Sequence, residues 1–152
     1  MIAGARYGHT NLIARDWRAL AEFYQELFGC TPVPPERDYT GPELERGTGV
    51  PNSALRGVHL RLPGHGPAGP TLEIFNYTIL KDALEPAVNR PGFGHIAFVV
   101  DDVLAARDAV LAAGGRSVGE VVTLTNAAGE RLTWVYVTDP EGNIIELQSP
   151  AA

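Results

Sequence analysis

Hydrophobic and polar positions along the chain follow two rhythms, and each rhythm occurs twice. Leu20, Phe23, Tyr24 and Leu27 recur at the three-and-four spacing of a helix with one buried face. Val103, Ala106, Val110 and Ala113 repeat that spacing with smaller side chains. An aspartate precedes each run, Asp16 and Asp102, placed to cap a helix by accepting backbone N–H bonds. A glycine follows each, Gly29 and Gly115, where a helix end turns left-handed. Elsewhere β-branched and aromatic residues gather into short runs that predict strands over residues 57–62, 71–77, 117–124, 131–138 and 143–148. Asn126-Ala127-Ala128-Gly129 reads as a hairpin loop, and residues 139–143, Asp-Pro-Glu-Gly-Asn, as a tight turn.

The two rhythms belong to an internal repeat. Residues 7–29 align without a gap on residues 93–115, so that Tyr7 meets Phe93, His9 meets His95, Asp16 meets Asp102 and Gly29 meets Gly115. Each half begins with a strand, passes through the helix and returns to strands. The predicted fold is therefore α+β: two βαβββ modules forming a curved mixed sheet with the helices outside. Residues 1–152 are read as one domain, with module 1 over 5–78, a connector over 79–92 and module 2 over 93–150. Residues 31–52, rich in proline and glycine and without a clear period, are expected to be a long loop holding a short strand.

Composition narrows the function classes. The chain has 152 residues, 45% hydrophobic and 20% charged, as expected of a globular domain. Its net charge of −6, with no basic stripe, argues against nucleic acid as a partner. No apolar run is long enough to span a bilayer, and the N-terminus lacks the apolar core of a secretory signal. The one cysteine, Cys30, has no internal partner and reads as a small apolar residue after the first helix; a reducing cytoplasm suits it. A chain this small with an open sheet is expected to form a homodimer, with Trp17, Phe23 and Phe28 as candidate contacts.

The candidate chemistry lies in matched pairs. His9 and His95 stand near the starts of equivalent strands, and Glu73 and Glu146 lie within the last strand of each half, in Leu-Glu-Ile and Ile-Glu-Leu. A carboxylate inside an apolar strand is costly unless something binds it, and a metal ion would. Two imidazole nitrogens and two carboxylates suit one divalent ion among Zn, Ni, Co, Mn and Fe. Strand alternation groups His9 with Asn11 and Ile13, and Glu73 with Phe75 and Tyr77. Asn11, Phe75, Tyr77 and Trp134 are the candidate substrate residues. His59 is expected to face solvent, His65 to lie on a surface loop, and Glu43 and Glu45 to sit in the long solvated loop.

These residues carry a resemblance. GHTNLIARDWRALAEFYQELFG, TLEIFNY, GFGHIAFVVDD and TDPEGNIIEL together resemble the vicinal oxygen chelate superfamily, which includes glyoxalase I, methylmalonyl-CoA epimerase, extradiol dioxygenases and the fosfomycin and bleomycin resistance proteins. The set His9, Glu73, His95, Glu146 looks like that of bacterial glyoxalase I; the epimerase usually has glutamine at the position of Glu73. The resemblance implies proton transfer or isomerisation next to a carbonyl, with Glu146 and Glu73 as the catalytic bases and a small substrate with adjacent oxygens. Glyoxalase I usually carries an arginine where this chain has Ile13, and an asparagine where it has Tyr77, so glutathione is not the expected substrate. Two alternatives stand beside this reading. One is an extradiol-type ring-cleaving dioxygenase using His9, His95 and Glu146. The other is a non-catalytic protein that binds a small molecule such as an antibiotic.

Overall fold

The computed structural model describes residues 2–151. The chain divides into two compact units, Met1–Asp82 and Ala83–Ala152, with the boundary inside the irregular stretch between the modules. The elements of the first unit are β1 (His9–Ile13), α1 (Trp17–Phe28), β2 (Thr31–Thr40), α2 (Pro42–Thr48), β3 (Ala54–Arg61) and β4 (Thr71–Tyr77). Those of the second are β5 (Ile96–Val99), α3 (Val103–Ala112), β6 (Arg116–Ser117), β7 (Val122–Thr125), β8 (Arg131–Thr138) and β9 (Ile144–Ala151).

Both units are wound the same way. In the first, the sheet runs β1-β4-β3-β2, with β1 parallel to β4 and the remaining pairs antiparallel. In the second, it runs β5-β9-β8-β6, with β5 parallel to β9, the rest antiparallel, and β7 also paired to β8. The first strand of each unit therefore lies against the last. This is the mixed α+β architecture expected from the repeat.

The helices form where the periodicity places them. Asp16 caps α1 by accepting from the N–H groups of Arg18 and Ala19, and Asp102 caps α3 through Ala105. Helix α1 buries Leu20, Ala21, Phe23 and Tyr24, while β3 and β4 bury Val58, Leu60, Leu72 and Ile74. In the second unit, α3 buries Val103 and Val110, and β8 and β9 bury Val135, Val137, Ile145 and Leu147. One face of each sheet thus forms a core. The alternate residues, Glu73 on β4 and Glu146 on β9, point to the opposite face.

Four details differ from the sequence reading. Residues 31–52 are not a loop: they hold the ten-residue strand β2 and the helix α2, which also carries Glu43 and Glu45. Strand β2 lies at the edge of its sheet, where a proline's missing N–H leaves no partner wanting. Its pairing with β3 slips between Val33 and Arg37, across Pro34 and Pro35, which hides the two-residue rhythm. The strand expected over 117–124 is broken into β6 and β7, because Val118 and Gly119 both donate to the carbonyl of Tyr136 and lift the chain out of the ladder. The left-handed glycine after α3 is Gly114, with φ 93°; Gly115 instead packs so closely that a Cβ there would stand 2.3 Å from the carbonyl oxygen of Thr138. Finally, Phe23, expected at a dimer contact, is a core residue of α1, packed edge-to-face on Tyr24. Trp17 and Phe28 are half-buried, and Trp17 carries the Arg18 guanidinium over its ring at 4.1 Å.

Candidate functional site

The open face of the first unit's sheet is built around Glu73. Its cross-strand neighbours are Asn11 on β1 and His59 on β3, and residues directly opposite in a sheet point to the same side. His9 is the first residue of β1 and stands in register with Thr71. Glu73 Oε2 lies 3.4 Å from His9 Nε2 and accepts a 3.0 Å bond from the Asn11 amide. Glu73 Oε1 lies 2.7 Å from His59 Nε2, and the other ring nitrogen of His59 is 3.1 Å from the Thr71 hydroxyl. The Phe75 ring meets His59 edge-on, with 6.0 Å between centroids. It also covers Gly57, where any Cβ would collide with Phe75 and with the Ile74 carbonyl.

His59 therefore does not face solvent as its apolar neighbours Val58 and Leu60 suggested. Strand alternation puts those two in the core and turns His59 onto the same face as Glu73, where only 18% of its side chain is exposed. Burial pushes the imidazole below its usual range, Glu73 opposes that shift, and Arg37, His9 and Arg61 add to it. The signal was available in principle: His59 and Glu73 fall opposite each other once the β3–β4 hairpin is registered.

The second unit offers a smaller version. His95 sits just before β5, and Glu146 on β9 pairs across with Ala97 on one side and Tyr136 on the other. His95 Nε2 lies 3.0 Å from Glu146 Oε2. The Tyr136 ring is 5.0 Å from that of His95, and Trp134 packs edge-to-face on Tyr136 at 4.8 Å. Burial raises the Tyr136 phenol above its usual range, and the charge of Glu146 and a hydrogen bond to it raise it further. Tyr136 was absent from the sequence-derived site, although it is two positions from Trp134 and so shares its face.

The remaining candidates separate. Asn11 touches Glu73 directly, Phe75 lines the same face, and Tyr77, opposite Leu55, lies farther along β4. Asn76 points the other way and donates to the carbonyls of Ala14 and Arg15, so it holds the turn into α1. His65 is exposed in its loop, and Glu43 pairs with Arg46 on α2.

The donor chemistry can be tested against a metal. Two ligand atoms each about 2.0–2.2 Å from one ion, at tetrahedral to octahedral angles, stand roughly 2.8–3.6 Å apart. The His9–Glu73 and His95–Glu146 separations, 3.4 and 3.0 Å, fall in that range, so each pair fits two ligands of one ion. The 2.7 Å from His59 to Glu73 is the length of a charge-assisted hydrogen bond. Among the described residues no group of three or more histidines, cysteines or acids is arranged to hold an ion; each unit brings together a pair. Nor is any helix among them long and apolar enough to cross a membrane.

Residues 6–147 match the profile of the Glyoxalase/Bleomycin resistance protein/Dioxygenase superfamily. No curated protein matches the chain. Among solved structures, a glyoxalase family protein from Bacillus cereus is similar over all of both chains, at 20% identity and a TM-score of 0.80. A glyoxylase/bleomycin resistance protein/dioxygenase domain from Frankia covers 97% of this chain and 98% of its own, at 16% identity and a TM-score of 0.61. A fosfomycin resistance protein from Listeria monocytogenes, complexed with Mn(II) and sulfate, covers 99% and 95%, at 18% identity and a TM-score of 0.53. At these identities the likeness speaks for the fold.

Proposed function

This chain belongs to the glyoxalase/bleomycin resistance protein/dioxygenase superfamily, and from that membership we propose that it is a metal-dependent enzyme moving a proton on the carbon next to a carbonyl. In this reading His9, Glu73, His95 and Glu146 jointly hold one divalent ion, and the substrate is a small molecule with two adjacent oxygens. The observation that supports it is the matched pairing. Each unit sets one histidine, at or just before the start of its first strand, beside one glutamate from the strand parallel to it, at a spacing that suits shared ligation.

When bound, the ion would supply Lewis acidity and stabilise the negative charge on the substrate oxygens as the carbon loses its proton. Glu146 is the base of this proposal. Only 14% of its side chain is exposed, and it lies 3.0 Å from His95 Nε2 on the open face of its sheet. Tyr136 beside it keeps a neutral phenol at ordinary pH and presents a donor to the same carboxylate. Glu73 is the second carboxylate, able to hold or return a proton. Phe75, Tyr77 and Trp134 supply apolar and aromatic surface on the two open sheet faces. Ile13, apolar and half-exposed on β1, offers no charge for a glutathione carboxylate. We place the reaction with the glyoxalases and epimerases, independent of glutathione and in the cytoplasm.

Metal analysis after loading with Zn, Ni, Co, Mn or Fe, joined to α-proton exchange of candidate carbonyl compounds in deuterated water, tests the proposal. One ion per chain and exchange at the α-carbon are expected. E146Q should lower exchange by about 10²–10⁴-fold, the usual worth of a general base. E73Q should be milder, since the amide keeps an oxygen ligand. Oxygen uptake with catechols and no exchange would transfer the chain to the ring-cleaving dioxygenases. Small-molecule binding with no metal at all would make it a sequestering protein.

A further inference from the structure

We infer that His59 is a positioning residue for Glu73: through Nε2–H it holds one carboxylate oxygen and leaves the other to the metal. The inference rests on the reading of Glu73 as a ligand and extends it to a residue outside the ligand set. A carboxylate that binds an ion through one oxygen must have its second oxygen satisfied, or it rotates and the bond geometry is lost. On this chain the two oxygens of Glu73 are already distinguished. Oε1 faces His59 Nε2 at 2.7 Å, and Oε2 faces His9 Nε2 at 3.4 Å.

The His59 ring is itself held in one tautomer. Glu73 Oε1, 2.7 Å from Nε2, can only accept, so the proton sits on Nε2; Nδ1 of the neutral ring then accepts from the Thr71 hydroxyl at 3.1 Å. Thr71 is buried, and its backbone N–H donates to the carbonyl of Gly8, the residue before His9. The chain Thr71–His59–Glu73 is therefore anchored in the same strand pairing that fixes His9. Asn11 completes the clamp with its 3.0 Å bond to Oε2, which still leaves that oxygen a lone pair toward His9. His59 cannot be a ligand and keep this bond, because the nitrogen that would bind the ion carries the donated proton. Exposure agrees: half of the His9 side chain is open, against 18% for His59.

The test uses the full chain, Zn²⁺ titration calorimetry and long-range ¹H–¹⁵N spectra of the imidazoles in the metal-free protein. The spectra should show His59 as the Nε2–H tautomer, and E73A, which removes the acceptor that Nε2–H faces, should turn it into a mixture. H59F should weaken Zn²⁺ binding about 10–100-fold, as loss of an outer partner of a metal ligand does. H59Q, whose amide keeps a donor, should return affinity to within a few-fold of the starting protein. Circular dichroism of each variant separates these effects from misfolding. Zn²⁺ binding by H59F equal to that of the unaltered chain, or an Nδ1–H tautomer, overturns the positioning role alone. A folded H59Q that binds no Zn²⁺ overturns it too, and makes His59 a ligand. If the unaltered chain takes up no Zn²⁺, the metal reading itself falls and this inference with it.

Discussion

At the scale of single residues, burial decides which groups are reactive and which are inert. Cys30 follows α1 and is 3% exposed, and burial pushes its thiol up to about 11 from an ordinary 9.0. A thiol that ionises late is a poor nucleophile. The native protein should therefore resist a thiol-specific reagent at pH 8, and the same protein in denaturant should react at once; equal rates would show the thiol to be open. The sign of the linkage also follows. The folded state disfavours the thiolate, so the stability tied to Cys30 is fully present below pH 9 and is lost as the pH climbs toward 11. Urea unfolding midpoints of C30A and the unaltered chain should draw together over that interval. His59 and Tyr136 carry the same lesson with function attached: each lies on a strand whose neighbours are core, and each is turned by alternation onto the face that holds a carboxylate.

At the scale of elements, the β3–β4 pair is the piece on which the first unit's site depends. It sets His59 opposite Glu73 and brings Gly57 under the Phe75 ring. A Cβ at Gly57 would stand 2.0 Å from the Ile74 carbonyl oxygen and 2.4 Å from Phe75 Cδ1, which is a collision with backbone and ring together. G57A should destabilise the protein by about 1–3 kcal/mol, the usual cost of overpacking, read as a lower urea midpoint with an unchanged slope. Because the strain falls next to Phe75, which contacts His59, metal affinity should drop as well. A G57A protein with the original midpoint would show that the two strands separate freely there. By contrast α1 and α3, capped by Asp16 and Asp102, pack on the core faces of their sheets, away from the faces that carry Glu73 and Glu146.

At the scale of the whole molecule, the expected partner is a second copy. Large apolar side chains are open on the first strand of each unit: Ile13 is 45% exposed on β1 and Val99 is 71% exposed on β5. Both strands end their sheets, where unpaired backbone groups are an added liability. Phe23 drops out of the contact set because it belongs to the core, while Trp17 and Phe28 remain half-open. Light scattering at micromolar concentration should give twice the 16.3 kDa chain mass. A mass of one chain would mean that these apolar residues stay in water, and would overturn the expected dimer.

The sequence alone determined what depends on local periodicity and on repetition. The three-and-four spacing of Leu20, Phe23 and Tyr24, the capping aspartates and the gap-free match of residues 7–29 to 93–115 were enough for two like-wound α+β modules, and for singling out His9, Glu73, His95 and Glu146. Tertiary structure decided what depends on which strand lies beside which. Edge placement made a strand of the proline-rich residues 31–40, which no local rule favours. Cross-strand register brought His59 to Glu73 and Tyr136 to Glu146, though 14 and 10 positions separate them in the chain. Alternation along one strand can be read from its residues. The partner a residue meets across the sheet is set by hydrogen-bond register, which belongs to two strands at once and is carried by neither sequence alone.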